Sequence, residues 1–64
     1  MYMEARTSRI KRRLVKDGWY LERHGSNHDI YRHPAISGII TLPRHPTVSD
    51  GVAISIAKKA GWTD

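Results

Sequence analysis

The sequence predicts an α+β domain in the order helix, three strands, helix, with a three-stranded antiparallel sheet and both helices on one face. Three observations predict it. Each end of the chain carries apolar residues at helical spacing. The middle carries three short strand-like runs divided by Gly, Pro, Ser and Asn. The connections between those runs are too short for a crossover, so neighbouring strands must run antiparallel.

The first helix is expected from Ser8 to Asp17. Thr7 and Ser8 are good N-caps, because a hydroxyl can accept a hydrogen bond from a first-turn amide. Ile10 and Leu14 stand four apart on one face, while Arg9, Lys11, Arg12, Arg13 and Lys16 cover the rest. Gly18 is a natural stop. Trp19 to Arg23 reads as a strand with Trp19, Leu21 and Arg23 on one face and Tyr20 and Glu22 on the other. His24-Gly25-Ser26-Asn27 is turn chemistry, with Gly25 and Asn27 suited to positive φ. His28 to His33 is the second strand. His33-Pro34 with Ser37-Gly38 forms the next turn, and Ile39 to Leu42 the third strand, stopped by Pro43. Arg44 to Val48 is a loop. Ser49 or Asp50 caps a last helix whose stripe is Val52, Ala53, Ile56, Ala57 and Ala60, and Gly61 ends it. Trp62 either folds back on the domain or sits at an interface. Both helices must bury their stripes, so they share one sheet face and leave the other open.

The 64 residues make one domain, 1–64. A chain this short has a thin stability margin and gains from any partner that binds only its folded state. It has no cysteine, which excludes disulfides and thiolate metal sites. No apolar run approaches the roughly 20 residues of a membrane span. Met1 to Arg13 has no apolar core of signal-peptide type, so a cytoplasmic location is expected. Eleven Lys and Arg oppose six Asp and Glu, for a net charge of +5. The isoelectric point is about 10.1. Such a surface concentrates polyanions, of which nucleic acid is the commonest. Charge alone also leaves a ligand-free basic surface open, as the lesser reading.

Four histidines, His24, His28, His33 and His45, are the candidates for proton transfer near neutral pH. RNA cleavage without metal needs little more. A base takes the ribose 2′-hydroxyl proton, the oxygen attacks the adjacent phosphate, and cations stabilise the added charge. His24 and His28 straddle a turn with no accompanying carboxylate pattern, so a zinc site is weakly supported and no metal is expected. His24 and His33 read first as turn residues. His45, between Pro43 and Pro46, is explained equally by structure and by ligand contact. His28 differs, because it opens a strand directly after Gly25-Ser26-Asn27, with Arg23 and Arg32 near that end or face. The pattern still leaves a plain surface histidine open there. Tyr31 has the opposite strand parity to His28 and reads as core. Ser26, His28 and Asp29 are too close on alternating sides to make a hydrolase triad.

Asp17-Gly18-Trp19-Tyr20-Leu21, Gly25-Ser26-Asn27-His28, His33-Pro34, Leu42-Pro43-Arg44-His45-Pro46 and Lys58-Lys59-Ala60-Gly61 together resemble HicA, the toxin of HicAB toxin–antitoxin modules. Each motif is short; their order and spacing are specific and cover Ile10 to Trp62. The resemblance implies a double-stranded-RNA-binding-like α-β-β-β-α fold and a metal-independent mRNA interferase. It implies a HicB-type antitoxin that covers the active site, and no cofactor. The family's catalytic histidine lies in the Gly-Ser-x-His segment, and counting back from His33-Pro34 puts it on His28. Gly25, Ser26, Asn27, Arg23, Arg32, Arg44, His45 and Lys16 are then the candidates for RNA contact, with Gly25 admitting the RNA backbone closely. Arg13 departs from the family, where that position is often apolar. The rivals are a non-catalytic basic module that holds RNA by shape and charge, and an inactive toxin kept for partner binding.

Overall fold

The computed structural model describes residues 5–62; the first four residues of the Met1–Arg13 stretch lie outside them. The order is α1 (Thr7–Lys16), β1 (Tyr20–His24), β2 (His28–His33), β3 (Ile36–Pro43) and α2 (Asp50–Ala60). The α-β-β-β-α sequence of elements is the one expected, and several boundaries moved.

Helix α1 starts one residue early. Its N-cap is Arg6, which makes no side-chain cap. The loop before α2 supplies the missing acceptor instead, because Thr7 N–H donates to the Pro46 carbonyl at 3.0 Å. The Thr7 hydroxyl donates to the His45 carbonyl rather than capping the helix. Arg6 and Thr47 form a lone bridge, and Val48 N–H donates to Ala5 at 2.8 Å. Backbone carbonyls from a distant loop have thus displaced a local hydroxyl.

At the other end, Gly18 has φ +100°. Trp19 N–H donates to Leu14 O at 2.9 Å and Gly18 N–H to Val15 O at 3.1 Å, the paired bonds that close a helix through a left-handed residue. Trp19 is brought back into the core with Leu14. Helix α2 is capped by Ser49, whose Oγ accepts from Val52 N–H at 3.3 Å. It closes at Gly61, where Trp62 N–H reaches Ala57 O at 2.8 Å.

The strands lie in the order β1-β2-β3, both pairs antiparallel. Two irregularities correct the expected pattern. Between Leu21 and Arg23 the β1 register shifts, so Tyr20 pairs with Arg32 and Arg23 with Ile30. The extra residue, Glu22, is a bulge that resets parity. Arg23 therefore shares a face with Tyr20, not with Leu21. The β2–β3 turn is only Pro34-Ala35, because His33 pairs with Ile36. Ser37 and Gly38 lie inside a longer β3, in an irregularity between the Ile36 and Ile40 pairings, not in the turn.

Both helices pack on one sheet face. Ile10 and Leu14 of α1 and Ala53 and Ile56 of α2 cluster with Trp19, Tyr31, Ile40, Leu42 and Val48. Val52, Ala60 and Trp62 pack against the edge of that cluster, so Trp62 folds back. Its indole N–H donates to Asp17 Oδ2 at 2.6 Å. The Arg13 guanidinium sits 4.3 Å from its ring centroid, which gives the departing Arg13 a structural partner. The Asp17 carbonyl meanwhile accepts from His33 Nε2 at 2.9 Å. One turn thereby joins α1, α2 and the β2–β3 hairpin.

Tyr31 is core, 1% exposed, with its hydroxyl unpaired among the described residues. Burial, and then the nearby Asp29 charge, push its hydroxyl pKa above the ordinary 10.0. An unpaired buried hydroxyl costs about 1–3 kcal/mol. Tyr31→Phe is therefore expected to leave the thermal midpoint unchanged or raise it, and a lowered midpoint would contradict this. No helix among the described residues is long and apolar enough to cross a membrane.

Candidate functional site

The sheet face away from the helices carries His28, Ile30 and Arg32 of β2. Tyr20 and Arg23 flank them on β1, and Thr41 and Pro43 on β3. Ile30 is buried there, outside the helix-covered cluster, between Arg23 and Thr41. His28 stands at the end of this face, paired with Pro43 and half-buried.

The turn before it is tight. Gly25 N–H donates to the His28 carbonyl at 2.7 Å. A Cβ on residue 25 would lie 2.8 Å from that oxygen and 3.4 Å from His28 Nε2. The positive φ expected at Gly25 and Asn27 is absent. Glycine is needed at 25 because the His28 carbonyl and ring press on it, not because of its dihedrals. The space it opens, expected to admit RNA, is occupied by the protein's own imidazole edge.

Arg44, just after β3, binds this turn three times. Its backbone N–H donates to Asn27 O at 3.2 Å, Nη2 to Gly25 O at 2.8 Å, and Nε to Asp29 Oδ1 at 2.9 Å. His24, opposite Asp29 in the hairpin, meets the same oxygen through Nδ1 at 2.8 Å. A carboxylate only accepts, so Nδ1 of His24 carries the proton. The Asp29 carboxyl is held below the ordinary 3.8, chiefly by the His24 hydrogen bond. Partial burial opposes this, and the Arg44 hydrogen bond and charge add to the lowering. A depressed folded pKa means that Asp29 stabilises the fold fully above 3.8, and that this contribution is lost as pH falls below it. The stability gap between wild type and Asp29→Asn should therefore shrink on acidification through that range. Denaturant midpoints at a series of pH values measure it, and a constant gap would refute it.

The remaining candidates scatter. Ser26 and Asn27 are exposed in the turn, and Arg23 is exposed on the open face two rungs from His28. Arg32 shares that face but pairs through Nε with Glu22 at 2.6 Å. Lys16 ends α1 beside the Asp17–His33 contact. It is at the opposite end of β2 from His28, a strand length of roughly 17 Å. His45 lies on the helix side, where an open groove of about 680 Å³ runs past Lys11, Pro43, Arg44 and Thr47. The structure thus brings Gly25, Ser26, Asn27 and Arg44 to His28 and separates Lys16 from it.

The other histidines differ in kind. Ala35 N–H donates to His33 Nδ1 at 3.0 Å, so Nε2 carries the proton given to Asp17, and the ring packs edge-on to Trp19 at 5.2 Å. His33 is a fastener. His24 belongs to the Asp29 cluster. The His28 imidazole makes no hydrogen bond among the described residues. Sequence reasoning passed over His24 and Asp29 as partners. Their signal was a five-residue separation across a hairpin turn, which places them opposite one another. No group of three His, Asp or Glu side chains suited to a metal occurs among the described residues.

Fold and charge define a class: a small basic α+β domain whose sheet is open on one side and bears a histidine at its rim. A family model, the HicA toxin of bacterial toxin–antitoxin systems, matches residues 7–62 of the 64. The chain belongs to the HicA toxin family and is a toxin of that kind. No curated protein compared with it matches the chain.

Proposed function

We propose that the protein is a metal-independent endoribonuclease that cuts mRNA and so blocks translation, with His28 as its catalytic base. The observation that carries this reading is the His28 imidazole. It has no hydrogen-bond partner among the described residues and stands at the rim of the uncovered face, on a turn held from below by Gly25 and Arg44. Family membership supports the toxin role.

His28 takes the proton from a ribose 2′-hydroxyl as O2′ bonds to phosphorus. The bond to the 5′-oxygen breaks, and the protonated imidazole returns the proton to that oxygen. The products are a 2′,3′-cyclic phosphate and a 5′-hydroxyl. Arg23 is the cation best placed to face the added phosphate charge. The turn residues Ser26 and Asn27 contact the RNA beside it. A HicB-type antitoxin, acidic toward this basic surface, covers the open face and excludes mRNA. The cell compartment is the cytoplasm, where the mRNA is.

Purified protein incubated with labelled single-stranded mRNA in excess EDTA should yield discrete fragments ending in cyclic phosphate. RNA bound but left whole would favour a non-catalytic module instead.

A further inference from the structure

We infer that Arg44 is a positioning residue that holds the His28 turn in its working shape, rather than a phosphate contact. This rests on the proposed ribonuclease reading for its kinetic part only. The hydrogen bonds of Arg44 go to the residues around His28 and not to the His28 side chain. It reaches the turn on three sides, through Asn27 O, Gly25 O and Asp29 Oδ1. With Gly25 N–H on the His28 carbonyl, the carbonyls of Gly25, Asn27 and His28 all have donors. Asp29 couples the second wall of the turn, because the oxygen that takes Arg44 Nε also takes His24 Nδ1.

The chain of contacts runs from the end of β3, through Arg44, to Gly25, and from Gly25 to the ring of His28, which lies against it. A planar guanidinium can serve Gly25 O and Asp29 from two different nitrogens, which one ammonium cannot. The ion pair with Asp29 offsets part of the Arg44 charge and turns the guanidinium toward the turn. Sequence alone, which sees only a basic residue in a loop, groups it with the phosphate binders.

The test uses Arg44→Lys, which keeps the charge, with Asp29→Asn as a second variant and the double variant to close the cycle. Amide hydrogen exchange reads the turn without any need for cleavage. Loss of one hydrogen bond should speed exchange at the Gly25 amide about tenfold, while the Ala35 amide, bound to His33 at the far end, keeps its protection. Turnover should fall about tenfold to a hundredfold, as small misplacements of a catalytic group do. Affinity for the uncleavable 2′-deoxy form of the same oligonucleotide, and its salt dependence, should not move. The double variant should lose no more turnover than the worse single one.

Unchanged Gly25 exchange in Arg44→Lys would overturn the lock. Weakened binding with turnover intact would overturn it too, and make Arg44 a phosphate contact. A wild type that binds RNA without cutting it would fail the ribonuclease reading alone, since the exchange result still decides what Arg44 does to the turn.

Discussion

His28→Ala is expected to abolish RNA cleavage and growth arrest while leaving the fold and RNA binding intact. Removing a general base costs about 10²–10⁴ in rate. The larger figure is expected here, because in the proposed mechanism the imidazole serves both proton transfers. Folding should survive. The His28 ring is half-buried at a rim and donates no hydrogen bond within the described residues, and the turn is held by the His28 backbone carbonyl, which alanine keeps. The circular dichroism spectrum and the thermal midpoint should therefore match wild type, and a complex with the antitoxin should still form. Gel analysis of labelled RNA is the decisive measurement. Fragments produced at the wild-type rate by the alanine protein would end the proposed mechanism. The same variant at His24 is expected to act less severely, since that ring is occupied by Asp29.

Gly18→Ala is expected to be the most destabilising small substitution at the far end of the molecule. Two costs add. The backbone there has φ +100°, which strains any residue with a Cβ by about 1–2 kcal/mol. The new Cβ would also lie 2.9 Å from His33 Nε2, and moving that ring breaks its bond to the Asp17 carbonyl. Overpacking of this kind costs about 1–3 kcal/mol. A domain this size holds only ~3–5 kcal/mol in total, so the substitution removes much of its stability. The thermal midpoint should drop by about 10 °C or more, at 4–8 °C per kcal/mol. A drop of less than ~4 °C would show that the Asp17 junction is not the fastener it looks like. Antitoxin in excess should restore part of the loss by binding only the folded form.

These two sites show why one β-strand carries two unlike histidines. His28 opens β2 with its ring at the rim and without a hydrogen bond among the described residues. His33 closes β2 with both ring nitrogens engaged and an indole against it. Between them, alternate side chains commit Tyr31 to the core and Arg23's partner Ile30 to the opposite face.

Much of the architecture was legible in the residues. Periodicity placed Ile10, Leu14, Ala53 and Ile56 on apolar stripes, and short turns dictated antiparallel pairing, because these signals are local. Strand parity separated His28 from Tyr31 for the same reason. Gly18 and Gly61 were readable as helix stops because a left-handed closure has few alternatives. The order of the motifs alone resembles the toxin family. What the tertiary structure alone decided were the contacts between segments far apart in sequence. The bulge at Glu22 took Arg23 off the Leu21 face and put it with Tyr20, and bulges depend on what the neighbouring strand demands. Loop carbonyls of His45 and Pro46 displaced the hydroxyl caps expected at Thr7 and Ser8. Above all, Arg44 stands fifteen residues from Asp29, and Lys16 only twelve residues before His28. Folding brings the first to the His28 turn and sends the second to the opposite end of the sheet. Like charges look alike in a sequence, and only the packed chain shows which one has a carboxylate and a turn to hold.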